Sequence, residues 1–297
     1  MLTMLPEKLL LQAPAKINLF LRIVGRREGG YHLLESHMHK IGLYDQLELC
    51  PAKQGVTLHC GESGVPEDSR NLVYRAAELF LQATEGRRQT AWGGVRITLQ
   101  KNIPVAAGLG GGSSDAATTL LGMNQLLGGG LDAEALAALG VQLGADVPFF
   151  LAPQPSMLAT GIGEVLAEAA PLGQCWILLV NPGFSVSTRW VYQNFALTEP
   201  PAPGIFAHSR DELAPLAADN STVTLVNDLE RVTLEKYPEL SCLKDALRER
   251  GSIGTLMSGS GPTIFAIFQD QQLAQAAYAY FQRQYARSFL VDPERAG

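Results

Sequence analysis

The segment Pro104-Val105-Ala106-Ala107-Gly108-Leu109-Gly110-Gly111-Gly112-Ser113-Ser114-Asp115 packs four glycines and two serines ahead of a stretch with helical apolar spacing. Glycines there let successive backbone N–H groups converge without side-chain obstruction. Ser113 or Ser114 can cap the helix that follows, and the unpaired N–H groups of a helix start attract anionic oxygens. A di- or triphosphate is the natural occupant. No Gly-Lys pair exists in the chain, which excludes a Walker-type loop, and a G-x-G-x-x-G pattern opening at Gly108 fails at Ser113. The competing reading is a glycine-rich turn that serves only close helix packing.

Three further segments carry polar groups in apolar surroundings. In Pro14-Ala-Lys16-Ile-Asn18-Leu-Phe-Leu, strand alternation puts Lys16 and Asn18 on one face and Ile17, Leu19 and Leu21 on the other. Lys16 is then either a point charge for phosphate and the reacting group or an edge lysine on the surface. Asp146, in Gly144-Ala-Asp146-Val-Pro148-Phe-Phe, is either a carboxylate able to accept a hydroxyl proton or a helix cap. Met257-Ser-Gly259-Ser-Gly261-Pro-Thr-Ile-Phe265 joins two apolar runs by small residues, as a ligand-approaching turn or a plain connection.

Composition narrows the classes. The chain has 297 residues, 30 glycines and a formal net charge of −6, enough length for two domains or one large one and for a core without disulfides. With seven lysines and no dense basic stripe, binding to nucleic acid is not expected. Cys50, Cys60, Cys175 and Cys242 form no C-x-x-C pair and no zinc spacing with histidine, so they read as buried free thiols. Leu9–Val24 is broken by Gln12, Lys16, Asn18 and Arg22, which excludes a membrane span or signal core and makes a soluble, intracellular protein the expectation. His37, His39, His59 and His208 read as solvated or core-satisfied, and Trp92, Trp176 and Trp190 as packing residues.

Elements must hold these groups in place. Strands are expected at 9–12, 17–24, 37–44, 46–50, 95–99, 156–160, 176–180, 254–257 and 264–268. Helices are expected at 71–83, 113–127, 132–143, 225–236, 240–250 and 271–285, with Asp132 an N-cap. Strands and helices alternate without a clean βαβαβ series, so the class is α+β in two lobes, divided near residue 160.

In this order, P-A-K-I-N-L-F-L, G-L-G-G-G-S-S-D-A, G-A-D-V-P and S-G-S-G-P-T resemble the GHMP family of small-molecule kinases, over roughly Ala13 to Phe268. The resemblance implies a ribosomal-protein-S5-domain-2-like N-terminal lobe over 1–160 that binds ATP. It also implies a ferredoxin-like lobe over 161–297 that contributes to substrate binding. Gly30-Tyr31-His32 narrows it to members that phosphorylate a cytidine-diphosphate-linked methylerythritol at its tertiary 2-hydroxyl. A homoserine or mevalonate type of kinase, or a non-catalytic metabolite sensor, are the alternatives. By the same resemblance Asp146 is the catalytic base, Lys16 steers it and the hydroxyl, and Asn18 helps hold the substrate. Tyr31 and His32 grip the cytosine by stacking and edge hydrogen bonds, with Tyr192 on the second face and Phe184 competing for that place. Residues Pro104 to Ser114 wrap the ATP phosphates, Asn71 and Lys101 stand at the nucleotide's outer edge, and Mg2+ comes with ATP, held mainly by phosphate and water. Ser114 and Asp115 are the nearest protein groups for that ion. No membrane partner is implied, the compartment is a bacterial cytoplasm or a plastid stroma after transit-peptide removal, and the oligomeric state is left open.

Overall fold

The computed structural model describes residues 6–27, 32–88, 90, 92–195, 212–213 and 223–293. The chain forms two compact units, each assembled from three segments. The first comprises Met1–Ala15, Tyr44–Ile103 and Gly110–Pro153; the second comprises Lys16–Leu43, Pro104–Leu109 and Gln154–Gly297. Two long strands, β1 (Leu9–Arg26) and β2 (His32–Ala52), contribute residues to both.

In the first unit, Gln46–Ala52 of β2 pairs antiparallel with β4 (Gly93–Gln100), and β3 (Gln54–His59) pairs parallel with β4. A parallel neighbour needs a long crossover, which α1 (Leu72–Ala83) supplies. Its buried Val73, Ala76 and Phe80 repeat at helical spacing, and α1 packs on α2 (Gly111–Leu126). Short helices α3 (Ala133–Leu143) and α4 (Val147–Leu151) complete the unit. Asp132 caps α3 as expected, its side chain accepting from the Ala135 N–H.

In the second unit, β1 pairs parallel with β10 (Val226–Asn227). Ser36–His39 of β2 pair with β5 (Ser156–Thr160), which pairs in turn with β6 (Val165–Glu168). A separate sheet runs β11 (Gly254–Met257), β12 (Ile264–Phe268), β7 (Trp176–Asn181), β13 (Arg287–Val291), antiparallel throughout. In chain order this is 4-1-3-2 with α7 (Glu239–Arg248) and α8 (Gln271–Phe281) as crossovers packed on the sheet, the ferredoxin-like arrangement expected for the C-terminal part. Its core gathers Leu178, Val180, Leu243, Phe268 and Phe281. Helices α5 (Thr188–Asn194) and α6 (Glu230–Lys236) flank it, and β8 (Glu212–Leu213) pairs with β9 (Val223–Thr224).

Several expected boundaries move. The strands at 9–12 and 17–24 are one, since Pro14 does not break β1; those at 37–44 and 46–50 are likewise one. The helix expected from Leu225 starts only at Glu230, because Val226 and Asn227 pair with β1 instead. The last helix stops at Phe281, and β13, absent from the sequence expectation, follows it. Trp92 is exposed rather than packed, whereas Cys60 and Cys175 are buried free thiols and Cys242 is an exposed one. His39 is core-satisfied: its Nδ1 bonds the Lys40 carbonyl at 2.7 Å, and the Leu172 N–H donates to its Nε2 at 2.8 Å. His208 lies outside the described residues. Among the described residues no helix is long and apolar enough to cross a membrane.

Candidate active site

Three of the four singled-out segments converge in the second unit. Lys16 and Asn18 do share a strand face, but that face is covered: the residues are 4% and 3% exposed, which removes the edge-lysine reading. Lys16 Nζ donates to Asn18 Oδ1 at 2.5 Å, Asn18 Nδ2 donates to Ser36 Oγ at 2.8 Å, and Ser36 donates to the Phe20 carbonyl at 2.7 Å. An ammonium group in this environment costs free energy unless its donors are used, and the Asn18–Ser36 chain fixes the orientation of one acceptor. The backbone N–H of Lys16 donates to the Leu109 carbonyl at 2.9 Å, tying the glycine segment to β1.

The 257–261 turn closes on the same place. Ser258 Oγ donates to the Gly108 carbonyl at 2.9 Å. A methyl group on Gly108 would overlap the Ser258 carbonyl oxygen, and φ there is +79°, so only glycine fits. A methyl on Gly259 would lie 3.4 Å from Lys16 Nζ and 3.5 Å from Asn18 Oδ1. Asn227, unnoticed in the sequence, holds this turn: Nδ2 donates to the Met257 and Gly259 carbonyls at 2.8 and 2.7 Å, and Oδ1 accepts the Leu229 N–H at 3.0 Å. Ala106 adopts φ +52° without being glycine, a conformation that costs backbone strain.

In the first unit, the segment ends as the start of α2. Gly110, at φ +72°, takes the N-cap position, and no side chain caps the helix. Ser113 and Ser114 lie inside the first turn, which corrects their expected capping role. Ser114 is fully buried with an unpartnered Oγ. Helix geometry leaves the N–H groups of Gly111, Gly112 and Ser113 without an intrahelical acceptor, at the positive end of a 16-residue helix. Asn71 caps α1, accepting from the Val73 N–H at 2.9 Å and donating to the Pro66 carbonyl at 2.8 Å. The Lys101 side chain is buried between the carboxylates of Asp45 and Asp115. Asp146 stands at the cap position of α4, half-buried, and its side chain makes no cap bond.

A third group lies on β2 and α5 of the second unit. His32 is 8% exposed and its Nε2 has no partner. Burial, and then the nearby Arg26 charge, hold its pKa below the ordinary value. The Tyr192 ring lies 5.4 Å from the His32 ring, tilted by 38°. Phe184 instead stacks on Tyr237 at 4.8 Å and 27°. Tyr31 lies outside the described residues. Sequence reasoning missed Asp45, Ser36 and Asn227. Ser36 and Asp45 fell just outside the strands expected at 37–44 and 46–50, and Asn227 was hidden inside an expected helix.

Residues 71–153 match the family model described as the GHMP kinases N terminal domain, and residues 202–287 match that of the GHMP kinases C terminal. The chain belongs to the GHMP kinase family. Within it the kinase groups with proteins named 4-diphosphocytidyl-2-C-methyl-D-erythritol kinase. The one from Pelobacter propionicus is 45% identical over 92% of this chain and 94% of its own length. The one from Syntrophotalea carbinolica is 44% identical over 95% and 97%. A crystal structure of 4-(cytidine 5'-diphospho)-2C-methyl-D-erythritol kinase superposes with a TM-score of 0.80 at 35% identity, over 97% of this chain and 100% of that one. A homoserine kinase from Cytophaga hutchinsonii, at TM-score 0.72 and 18% identity over 100% and 98%, shares the fold.

Proposed function

We propose that this kinase transfers the γ-phosphoryl group of ATP to the 2-hydroxyl of 4-diphosphocytidyl-2-C-methyl-D-erythritol, giving the 2-phosphate and ADP. The names and full-length similarity of its relatives support the reaction. The observation that carries the choice of a cytidine ligand is the buried, unpartnered His32 Nε2 beside the Tyr192 ring. A buried nitrogen without a partner is costly, and a base edge would satisfy it while the aromatic ring covers the base face. Homoserine and mevalonate carry hydrogen-bonding groups but no planar face for the Tyr192 ring to cover.

In the reaction Asp146 accepts the proton of the tertiary hydroxyl as its oxygen attacks the γ-phosphorus and the bond to the β-bridging oxygen breaks. Lys16, oriented through Asn18 and Ser36, supplies positive charge to the reacting group, and Asn18 helps hold the substrate. The backbone from Pro104 to Ser114 takes the phosphates, using the free N–H groups at the start of α2. Asn71 and Lys101, both engaged by the chain itself, border the nucleotide. Tyr31 and His32 grip the cytosine, with Tyr192 on its other face. Mg2+ would accompany ATP, held mainly by phosphate and water, and would supply neutralising charge to the phosphate oxygens. Among the described residues no group of three or more His, Cys, Asp or Glu could hold a metal, and Asp115 already faces Lys101. We assign 1–160 to nucleotide binding and 161–297 to a contribution to substrate binding, in a bacterial cytoplasm like that of its bacterial relatives.

Asp146→Asn tests the mechanism. Turnover is expected to fall by about two orders of magnitude or more, the scale of losing a general base, while ATP binding survives. Unchanged turnover removes Asp146 from the chemistry. Turnover of mevalonate or homoserine in preference to the cytidine-linked alcohol removes the substrate assignment.

A further inference from the structure

We propose that Asp45, Lys101 and Asp115 form a positioning device that sets where the first turn of α2 stands, and through it the affinity for the nucleotide phosphates. The inference rests on the reading that this turn receives the phosphates. The turn has no side-chain cap and begins with three consecutive glycines, Gly110 to Gly112. Nothing local therefore holds it in one place. What holds it is a chain of buried ionic bonds within the first unit.

Asp115, on α2, accepts from Lys101 Nζ at 2.7 Å, and the same ammonium group donates to Asp45 on β2. The other oxygen of Asp45 accepts the backbone N–H groups of Asn102 and Ile103 at 2.5 and 2.8 Å. One carboxylate thus grips the backbone that leads into the glycine segment, and through the ammonium it grips the helix that leaves it. The grip is close: a methyl on Gly111 would lie 3.2 Å from Lys101 Nζ and 3.0 Å from the Ile103 side chain. Glycine at 111 is what lets the turn sit down on the lysine.

The charges decide which member does what. Two carboxylates share one ammonium. Asp45 receives three donors, whereas Asp115 receives only Lys101 and keeps a buried Oδ1 with no partner. Burial pushes the Asp115 pKa up, and the Lys101 charge opposes that shift. The Lys101 charge is thus spent on carboxylates rather than presented to the ligand.

This separates positioning from direct phosphate binding by experiment. If Lys101 bound phosphate directly, Lys101→Met would weaken ATP binding, while Asp45→Asn would release the lysine and leave binding equal or tighter. The positioning role predicts that both variants raise the KM for ATP alike, by about tenfold or more, with kcat and the KM of the second substrate changed less than about threefold. The double variant Asp45→Asn/Lys101→Met, which removes both sides of the Asp45–Lys101 pair, raises KM no further than either single change. Lys101→Arg restores part of the affinity, and Asp115→Asn, which keeps an oxygen for Lys101, is milder than Asp115→Ala. A loss of thermal stability with an unchanged KM for ATP in the folded fraction overturns the proposal, as does tightening by Asp45→Asn. Should the single variants fail to fold, the double variant carries the same KM comparison. Titration of the wild-type protein with a non-hydrolysable ATP analogue distinguishes the underlying reading: no binding overturns both, whereas wild-type binding matched by all variants overturns the positioning role alone.

Discussion

His39 on β2 makes the stability of the second unit depend on pH in a calculable way. The imidazole is fully buried, bonded to the Lys40 carbonyl at Nδ1 and the Leu172 N–H at Nε2, so it is neutral with its proton on Nδ1. Burial lowers its pKa from the ordinary 6.5 to about 4. Between those values the unfolded chain binds a proton that the folded chain refuses, so stability is complete above pH 6.5 and is lost as pH falls toward 4. A displacement of that size corresponds to about 3 kcal/mol. His37, two residues away and also lowered by burial to about 4, adds a loss of similar size over the same window. The strand affected carries Ser36, whose hydroxyl orients Asn18 and through it Lys16. Denaturant unfolding measured from pH 7.5 to 4 in wild type and His39→Gln is the assay. The variant is expected to start less stable but to lose about 3 kcal/mol less across the window, because carboxylate contributions cancel in the comparison. Parallel pH profiles for the two proteins would refute the reasoning.

Other substitutions separate stability from ligand binding. Gly108→Ala forces a side chain into the left-handed region and into the Ser258 carbonyl, so it should cost at least about 1–2 kcal/mol in denaturant unfolding and lower kcat/KM; unchanged unfolding refutes the close approach. Gly112→Ala should do the opposite to stability. The added methyl would meet only Leu72 Cδ1 at an ordinary 3.7 Å, and alanine in a helix is favoured by about 0.5–1 kcal/mol. A helical Cβ tilts toward the N-terminus, so that methyl would stand where the proposed reaction places the phosphates, and the KM for ATP should rise while the melting temperature does too. Tyr192→Ala should raise the KM for the cytidine-linked substrate about tenfold, within the usual range for a base stack, and leave that for ATP unchanged. Phe184→Ala should act instead through stability, since its ring is spent on Tyr237; the reverse pattern would reassign the cytosine face.

What could be read in the sequence was what local forces decide. α1 and α3 begin where Asn71 and Asp132 can accept a backbone N–H, and their apolar periodicity carries them to the observed ends within a residue. The four singled-out segments stood out because each breaks a local rule. The rest depends on partners distant in the chain. Val226 and Asn227 have helical neighbours in sequence, yet a pairing with Phe20 and Leu21 draws them into a strand. Asp45 fell between two expected strands and read as a connection, and its meaning comes from Lys101, 56 residues on. β13 has no strong pattern of its own and forms because β7 offers an edge to pair with.

The glycine segment shows the limit most clearly, because residues of one type are there for different reasons. Gly108 is required by the Ser258 carbonyl, Gly110 suits the positive φ at the helix start, and Gly111 keeps the turn clear of Lys101 and Ile103. These three serve the fold of the segment itself. Gly112 is different. It is exposed, lies inside the helix, and meets no atom that a methyl would crowd, in a position where alanine would be the more stable residue. A costly glycine that the chain itself does not need is best explained by something outside the chain, and the free N–H groups around it make an anionic ligand the fitting one.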